Sequence, residues 1–300
     1  MNTKTLIVIT GPTAVGKTKL TIELARHFNV PIINADSRQL FRGMEIGTAA
    51  PTDKERQQAR HEFTGMLNLE DYYSASMFEQ DVLSWLSQHF KEHDIALMSG
   101  GSMMYIDAVC NGIDDIPTIR DDIRTMMKQR LQEEGLEALC EELKRLDPEH
   151  YEVVDKKNTR RVVHALEICH QTGNTYTSFR RQQKKERPFH LIKIGLNRPR
   201  EELYERINQR VDNMMEQGLE AEARKLYPQR QLNALNTVGY KEMFAYMDGT
   251  WTLEEAIERM KGNTRRYARK QLTWFKRDKD MKWFHPDDKE QILNYISSCI

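Results

Sequence analysis

The eight residues GPTAVGKT, 11–18, constrain what this chain can fold into more than any other stretch. They match G-x-x-x-x-G-K-[ST] at every fixed position, a pattern whose backbone N–H groups cradle phosphate while the Lys adds charge and the hydroxyl can ligate Mg²⁺. It carries meaning only between a buried strand and a helix. Both flanks meet that condition: TLIVIT (residues 5–10) is short and β-rich, and Leu20, Leu24 and Phe28 recur at helical spacing over residues 17–28. Gly11, Pro12, Thr13, Ala14, Val15, Gly16, Lys17 and Thr18 are therefore expected to form a diphosphate-binding loop at a helix N-terminus. The motif leaves open what happens to the phosphates.

Further strands are expected at residues 31–35 and 95–99, with a helix between them that buries Phe78, Val82, Leu86 and Phe90 and starts at a capping box of Ser76 and Glu79. Alternating strands and helices imply an α/β protein with a doubly wound parallel sheet. From about residue 118 to residue 188 the strand signal disappears into charged helical text. Residues 189–196, FHLIKIGL, then alternate like a strand, and the chain is expected to be helical nearly to its end. The expected organisation is a P-loop core (1–117 plus 189–300) with a helical C-terminal region and a helical insertion at 118–188.

Forty-five Lys and Arg balance forty-five Asp and Glu over 300 residues, so net charge selects no partner. The first apolar run is too short for a signal peptide core and no window suits a membrane span, so a cytoplasmic protein is expected. The four cysteines (110, 140, 169 and 299) form no C-x-x-C pair and read as buried thiols.

Nucleotide hydrolases commonly hold Mg²⁺ with an acid at the end of another strand, but ALMSGGS, residues 96–102, has none. An acid follows the earlier strand instead. Asp36, in INADSRQL, leaves the carboxyl edge where ligands bind in this architecture, and is read as a general base or a water-mediated Mg²⁺ ligand. Ser102, behind two glycines, can donate to an oxygen that gains charge, although Gly and Ser also serve turn geometry there. HFKEH (89–93) fits a zinc pattern through His89 and His93, but the sequence nominates no further ligand. Residues 261–282 carry nine Lys or Arg against two Asp. On a helix Arg266, Arg269, Lys270, Lys276 and Arg277 would share one face and Ala268, Leu272 and Phe275 another. With Arg160, Arg161 and the cluster at 180–187, these residues suit a polyanion, and Tyr267 and Trp274 suit base stacking or core packing.

Seven ordered motifs give a more specific reading: GPTAVGKT, NADSRQLF (34–41), IGTAAP (46–51), GGSMMYIDAVCNG (100–112), NTRRVVHALE (158–167), VGYKE (238–242) and TRRYARKQLTWF (264–275). Through them the chain resembles the tRNA dimethylallyltransferases nearly end to end. The resemblance implies transfer of a dimethylallyl group from its diphosphate to N6 of the adenosine 3′ of the anticodon, with Mg²⁺ as cofactor and the tRNA anticodon stem-loop as partner. It implies Asp36 as base, Ser102 where the family has Thr, and Lys17, Thr18 and Arg210 on the diphosphate. It places Asp36, Ser37, Arg38, Gln39, Ser102, Arg124, Arg160, Arg161, Val162, Val163 and His164, with Arg265, Arg266, Arg269 and Lys270, against tRNA, and the protein is expected to act as a monomer. The chain departs from the family at Ala50 (usually Lys), Glu62 (His), Met103-Met104 (Gly-Leu) and His164 (Arg). A P-loop small-molecule kinase and a non-catalytic RNA-binding P-loop protein are the alternatives; the first leaves the basic patches unexplained and the second makes Asp36 incidental.

Overall fold

The structure is a computed structural model that describes residues 3–180 and 184–300. Arg181, part of the basic cluster at 180–187, lies outside the described residues. The chain forms two compact units, Met1–Asn111 with Glu186–Ile300, and Gly112–Lys185.

In order, the first unit contains β1 (Thr5–Thr10), α1 (Lys17–Phe28), β2 (Ile32–Ala35), α2 (Glu45–Thr48), α3 (Asp53–Gln58), β3 (His61–Glu62), α4 (Ala75–His89), β4 (Ile95–Gly100) and α5 (Met103–Asn111). The second unit comprises α6 (Asp121–Leu146), α7 (Pro148–Val153), α8 (Thr159–Thr172) and α9 (Tyr176–Phe179). The chain then returns to the first unit with β5 (His190–Leu196), α10 (Arg200–Glu216), α11 (Leu219–Leu226), α12 (Tyr240–Met247), α13 (Leu253–Phe275), β6 (Lys282–Phe284) and α14 (Lys289–Cys299).

The strands form one parallel sheet in the order β3-β2-β4-β1-β5-β6. Every residue of β1 is buried, as a strand covered on both faces requires. Alternation sends Leu6 and Val8 into one core with Phe78, Ile106 and Phe275, and Ile7 and Ile9 into the other with Leu20, Leu24 and Ile296. The register then fixes the site. Thr10 of β1 pairs with Gly100 of β4, which pairs with Ala35 of β2, so three strands end in one row. The residues that follow them, Gly11, Asp36 and Gly101, start their turns along one edge.

Three expectations are corrected. The helix α4 is capped by Ser74, whose hydroxyl accepts the Met77 N–H at 3.2 Å, and Ser76 lies inside it. Glu79 is no cap partner: it is buried and paired at 2.6 Å with Arg187, which also donates to the carbonyls of Ala108 and Val109. The run toward the C-terminus is not wholly helical, because β6 joins the sheet edge. Neither β6 nor the two-residue β3 is long enough for side-chain alternation to announce it. Cys110, Cys140 and Cys169 are buried as expected, whereas Cys299 is half-exposed.

The Gly112–Lys185 unit is helical, with helix geometry interrupted inside α6 at Gly135 (φ 80°, ψ 169°). Its core joins Met127, Leu139 and Leu143 of α6 to Val162, Ala165 and Leu166 of α8. Buried Asp147 caps α7 and also accepts the Thr177 N–H and hydroxyl, each at 2.8 Å. Among the described residues, no helix is long and apolar enough to cross a membrane.

Candidate active site

A cavity of about 610 Å³ lies at the carboxyl edge of the sheet. Thr13, Ala14, Gly16, Lys17 and Thr18 of the glycine loop line it, with Asp36 and Gln39 after β2, Gly101 after β4, Arg210 of α10, and Tyr267 and Gln271 of α13. Sequence positions as far apart as 13 and 271 thus meet in one space.

The loop is shaped by close backbone approach. Gly11 has φ +149°, and a Cβ there would stand 2.6 Å from the Leu196 carbonyl oxygen, so only glycine lets the loop leave β1 against β5. Gly11, Pro12 and Val15 do not line the cavity. The carbonyls of Gly11 and Pro12 instead accept from Lys17 Nζ at 2.9 and 2.8 Å, and Val15 is buried in the core. Arg198 and Arg206 hold the outer carbonyls of Val15 and Ala14 at 2.8 and 2.9 Å. The first N–H groups of α1, which have no partner inside the helix, then offer an anion a place to bind with the macrodipole behind them.

Burial pushes the Lys17 ammonium down to about 7, with Arg210 repelling it and Asp36 partly compensating. Burial likewise lowers Arg210, whose guanidinium donates to the Thr48 carbonyl at 3.2 Å. That carbonyl belongs to a braced loop. Glu222 accepts the N–H groups of Ile46 and Gly47 at 2.9 Å each and the hydroxyl of fully buried Tyr240 at 2.6 Å. Two cations crowded in a desolvated space, offset by the Asp36 and Glu55 carboxylates nearby, form a site that favours a multivalent anion.

Asp36 is half-buried, and its Oδ1 accepts the Arg38 N–H at 2.9 Å, which sets the carboxylate in its turn. Ser102, buried at the start of α5, accepts the Ser37 N–H at 2.8 Å and donates to the Ser37 hydroxyl at 3.1 Å. The turns after β2 and β4 are therefore one structure. Arg38 is anchored by donating to the carbonyls of Asn233 and Ala234, and Gln39 by donating to those of Thr48 and Ala49. Tyr105 and Tyr267 are held above their usual range by burial, with Asp36 adding to the effect on both.

The basic residues separate. Arg265 donates to Asn208, Arg266 to Asn263 and Arg269 to the Tyr204 hydroxyl, while Lys270 is exposed. Lys276 and Arg277 lie beyond the last residue of α13, so the single helical face expected for all five basic residues is shorter than predicted. Trp274 donates to Asp107 at 2.8 Å beneath Arg277, a packing role, whereas Tyr267 is open to the cavity. In the helical unit, Arg124, Arg160, Arg161 and His164 sit on α6 and α8, with His164 beside Glu167. Val163 packs partly against the core of that unit, and the Val162 side chain is wholly inside it. His89 is stacked between Trp85 and His93 and bonds the Ile95 carbonyl at 2.8 Å.

Sequence reasoning passed over Gln271 and Arg206. The signal for Gln271 was available: it stands on the apolar side of α13, among Ala268 and Phe275, where an uncharged polar side chain needs a reason.

A family profile described as IPP transferase matches residues 39–278. The chain is 57% identical over 300 residues to tRNA dimethylallyltransferase 1 of Bacteroides fragilis (strain YCH46), covering 100% of both chains. It is 60% identical over 294 residues to the protein of the same name in Phocaeicola vulgatus, covering 98% of each. Among solved structures it is similar to the full-length tRNA isopentenylpyrophosphate transferase of Bacillus halodurans, with TM-score 0.71 and 36% identity over 98% of this chain and 96% of that one. It is also similar to a eukaryotic dimethylallyltransferase acting on tRNA, with TM-score 0.81 and 26% identity over 96% and 75%. A phosphate loop, a carboxylate and a buried hydroxyl thus share one sheet edge in a chain matched along its length, and the chain belongs to the IPP transferase family.

Proposed function

We propose that this protein prenylates tRNA, transferring the dimethylallyl group of dimethylallyl diphosphate to N6 of the adenosine 3′ of the anticodon. The observation that carries the reading is the shared cavity: a cationic diphosphate cradle and the Asp36 carboxylate face the same space, with Ser102 tied to the turn that holds Asp36. A donor bound by its diphosphate would extend its allyl group toward that carboxylate.

In the step, the N6 lone pair attacks C1 of the dimethylallyl group. The C1–O bond breaks, its electron pair leaves with the diphosphate, and Asp36 takes the N6 proton. Lys17, Arg210 and the N–H groups of α1 stabilise the negative charge that builds on the leaving group. An exocyclic aromatic amine is a weak nucleophile, so holding both substrates in line supplies much of the acceleration. The Thr18 hydroxyl lines the cavity, no side chain among the described residues takes it, and Asp36 shares the space, so the donor set fits Mg²⁺ held by Thr18 and, through water, Asp36. Bound there, the ion would neutralise diphosphate charge.

The target adenine must leave its loop stack to reach the cavity. Ser37, Arg38 and Gln39, and Arg265, Arg266, Arg269 and Lys270, are proposed to meet tRNA from the core. Arg124, Arg160, Arg161 and His164 are proposed to do so from the helical insertion. We read the protein as a cytoplasmic monomer. The test is transfer of label from dimethylallyl diphosphate to unmodified tRNA with Mg²⁺, beside ATP consumption on the same sample. Label in the anticodon loop with ATP untouched is the expected result; ATP consumption without label would replace the reading with a kinase.

A further inference from the structure

Gln271 is 1% exposed, yet its side chain lies on the wall of the catalytic cavity. Its Oε1 accepts the Thr13 N–H at 2.9 Å, inside the phosphate loop. Its Nε2 donates to the Gly101 carbonyl at 2.8 Å, in the turn after β4. The approach is so close that a Cβ on residue 101 would stand 2.5 Å from Nε2, so a side chain there would displace the amide from this position. One side chain therefore joins the leaving-group end of the site to the residue before Ser102. Ser102 in turn holds the Ser37 N–H, next to Asp36.

The remaining supports of the loop do not do this. Arg198 and Arg206 grip the carbonyls of Val15 and Ala14 from residues of the β5–α10 region, and Lys17 folds onto those of Gly11 and Pro12. They can shape the cradle without fixing where it stands relative to the acceptor base. The Thr13 N–H, one of the donors a phosphate loop would offer a ligand, is already committed to Gln271. An amide suits the bridge because it accepts at one end and donates at the other without carrying charge beside a diphosphate.

We propose that Gln271 is a positioning residue that sets the distance between the diphosphate cradle and the Ser102–Asp36 acceptor side, and so governs the transfer step without governing the affinity for either substrate. The inference rests on the reaction proposed above. A misplacement of about 1 Å between reacting groups can slow a step by on the order of 100-fold. Loss of the bridge should therefore act on rate at saturation.

The experiment is single-turnover transfer by Gln271→Met, saturated with dimethylallyl diphosphate and tRNA, with dissociation constants for both substrates and the melting temperature measured alongside. The expected result is a rate lower by about 10- to 100-fold with both dissociation constants within about threefold of the unaltered protein. An undiminished rate would overturn the inference, and so would a deficit that excess dimethylallyl diphosphate removes, since Gln271 would then serve only the cradle. Should Gln271→Met not fold, Gln271→Glu decides. Only its protonated carboxyl can both accept from Thr13 and donate to Gly101, so its rate relative to the unaltered protein should rise at least about threefold between about pH 8 and about pH 6. A flat ratio would overturn the inference. Absence of transfer by the unaltered protein would instead remove the proposed function, and this inference with it.

Discussion

The Ser102 hydroxyl accepts the backbone N–H of Ser37 at 2.8 Å, binding the turn after β4 to the turn that carries Asp36. The bond joins positions 65 apart in sequence, and it makes Ser102 a support for the turn that carries the proposed base. Ser102→Ala leaves that N–H without its partner and should lower the transfer rate by about 10- to 100-fold. Ser102→Thr keeps the oxygen and should stay within about threefold. Parallel rate measurements on the two variants check this, and equal losses in both would show that the hydroxyl is not what matters.

Donor binding should depend on pH through Lys17. The free protein holds this side chain near a pKa of about 7, well below its ordinary 10.5, because burial and Arg210 disfavour the ammonium. A diphosphate favours the ammonium, so binding above about pH 7 takes up a proton. Affinity for dimethylallyl diphosphate is then greatest below pH 7 and falls as pH rises through that value, by at most about tenfold per unit. Calorimetry near pH 8 in buffers of different ionisation enthalpy should record proton uptake. Lys17→Met should abolish the uptake.

The buried Glu79–Arg187 pair makes a stability prediction separate from catalysis. Both side chains are nearly inaccessible, and Arg187 also satisfies two carbonyls at the end of α5. Glu79→Ala strands a buried guanidinium and should cost about 3–5 kcal/mol. Thermal melting would fall by roughly 2–4 °C per kcal/mol on the scale of a domain of this size. Replacement of both partners by apolar residues should recover part of the loss. A melting temperature unchanged in Glu79→Ala would contradict the buried pairing.

The basic residues proposed to meet tRNA predict a salt effect. Each phosphate contact contributes a slope of roughly 0.7–0.9 in the logarithm of affinity against that of salt, so affinity should fall at least about tenfold between about 50 and 200 mM. Joint replacement of Arg160 and Arg161 by Ala should flatten the slope by about one to two units. Binding independent of salt would remove the proposed phosphate contacts.

Much of this site was legible because its parts sit where local signals are strong. The residues of β1 and α1 bracket the glycine loop with opposite periodicities, and Asp36 follows a short buried run, so strand ends could be placed before their neighbours were known. What stayed hidden depends on pairing across the sheet or on one side chain's direction. β3 and β6 are strands only because β2 and β5 present partners to them. Ser76 carries the S-x-x-E letters of a capping box, yet the cap is Ser74, two residues earlier, because Glu79 is drawn into the pair with Arg187. Val162 stands in a motif that resembles tRNA-contacting positions, while its burial belongs to the insertion's core. Gln271 was visible as a polar residue on an apolar face, but its two partners, 258 and 170 positions away, were not.

The most direct measurement is single-turnover transfer from dimethylallyl diphosphate to tRNA by Asp36→Asn, with tRNA affinity determined on the same preparation. Asn preserves the size of the side chain and an oxygen for the Arg38 N–H, but cannot take a proton from N6. The account predicts tRNA affinity within about threefold and transfer lower by on the order of 100- to 10,000-fold. Full transfer by the variant would contradict it, because Asp36 would then have no part in activating the acceptor.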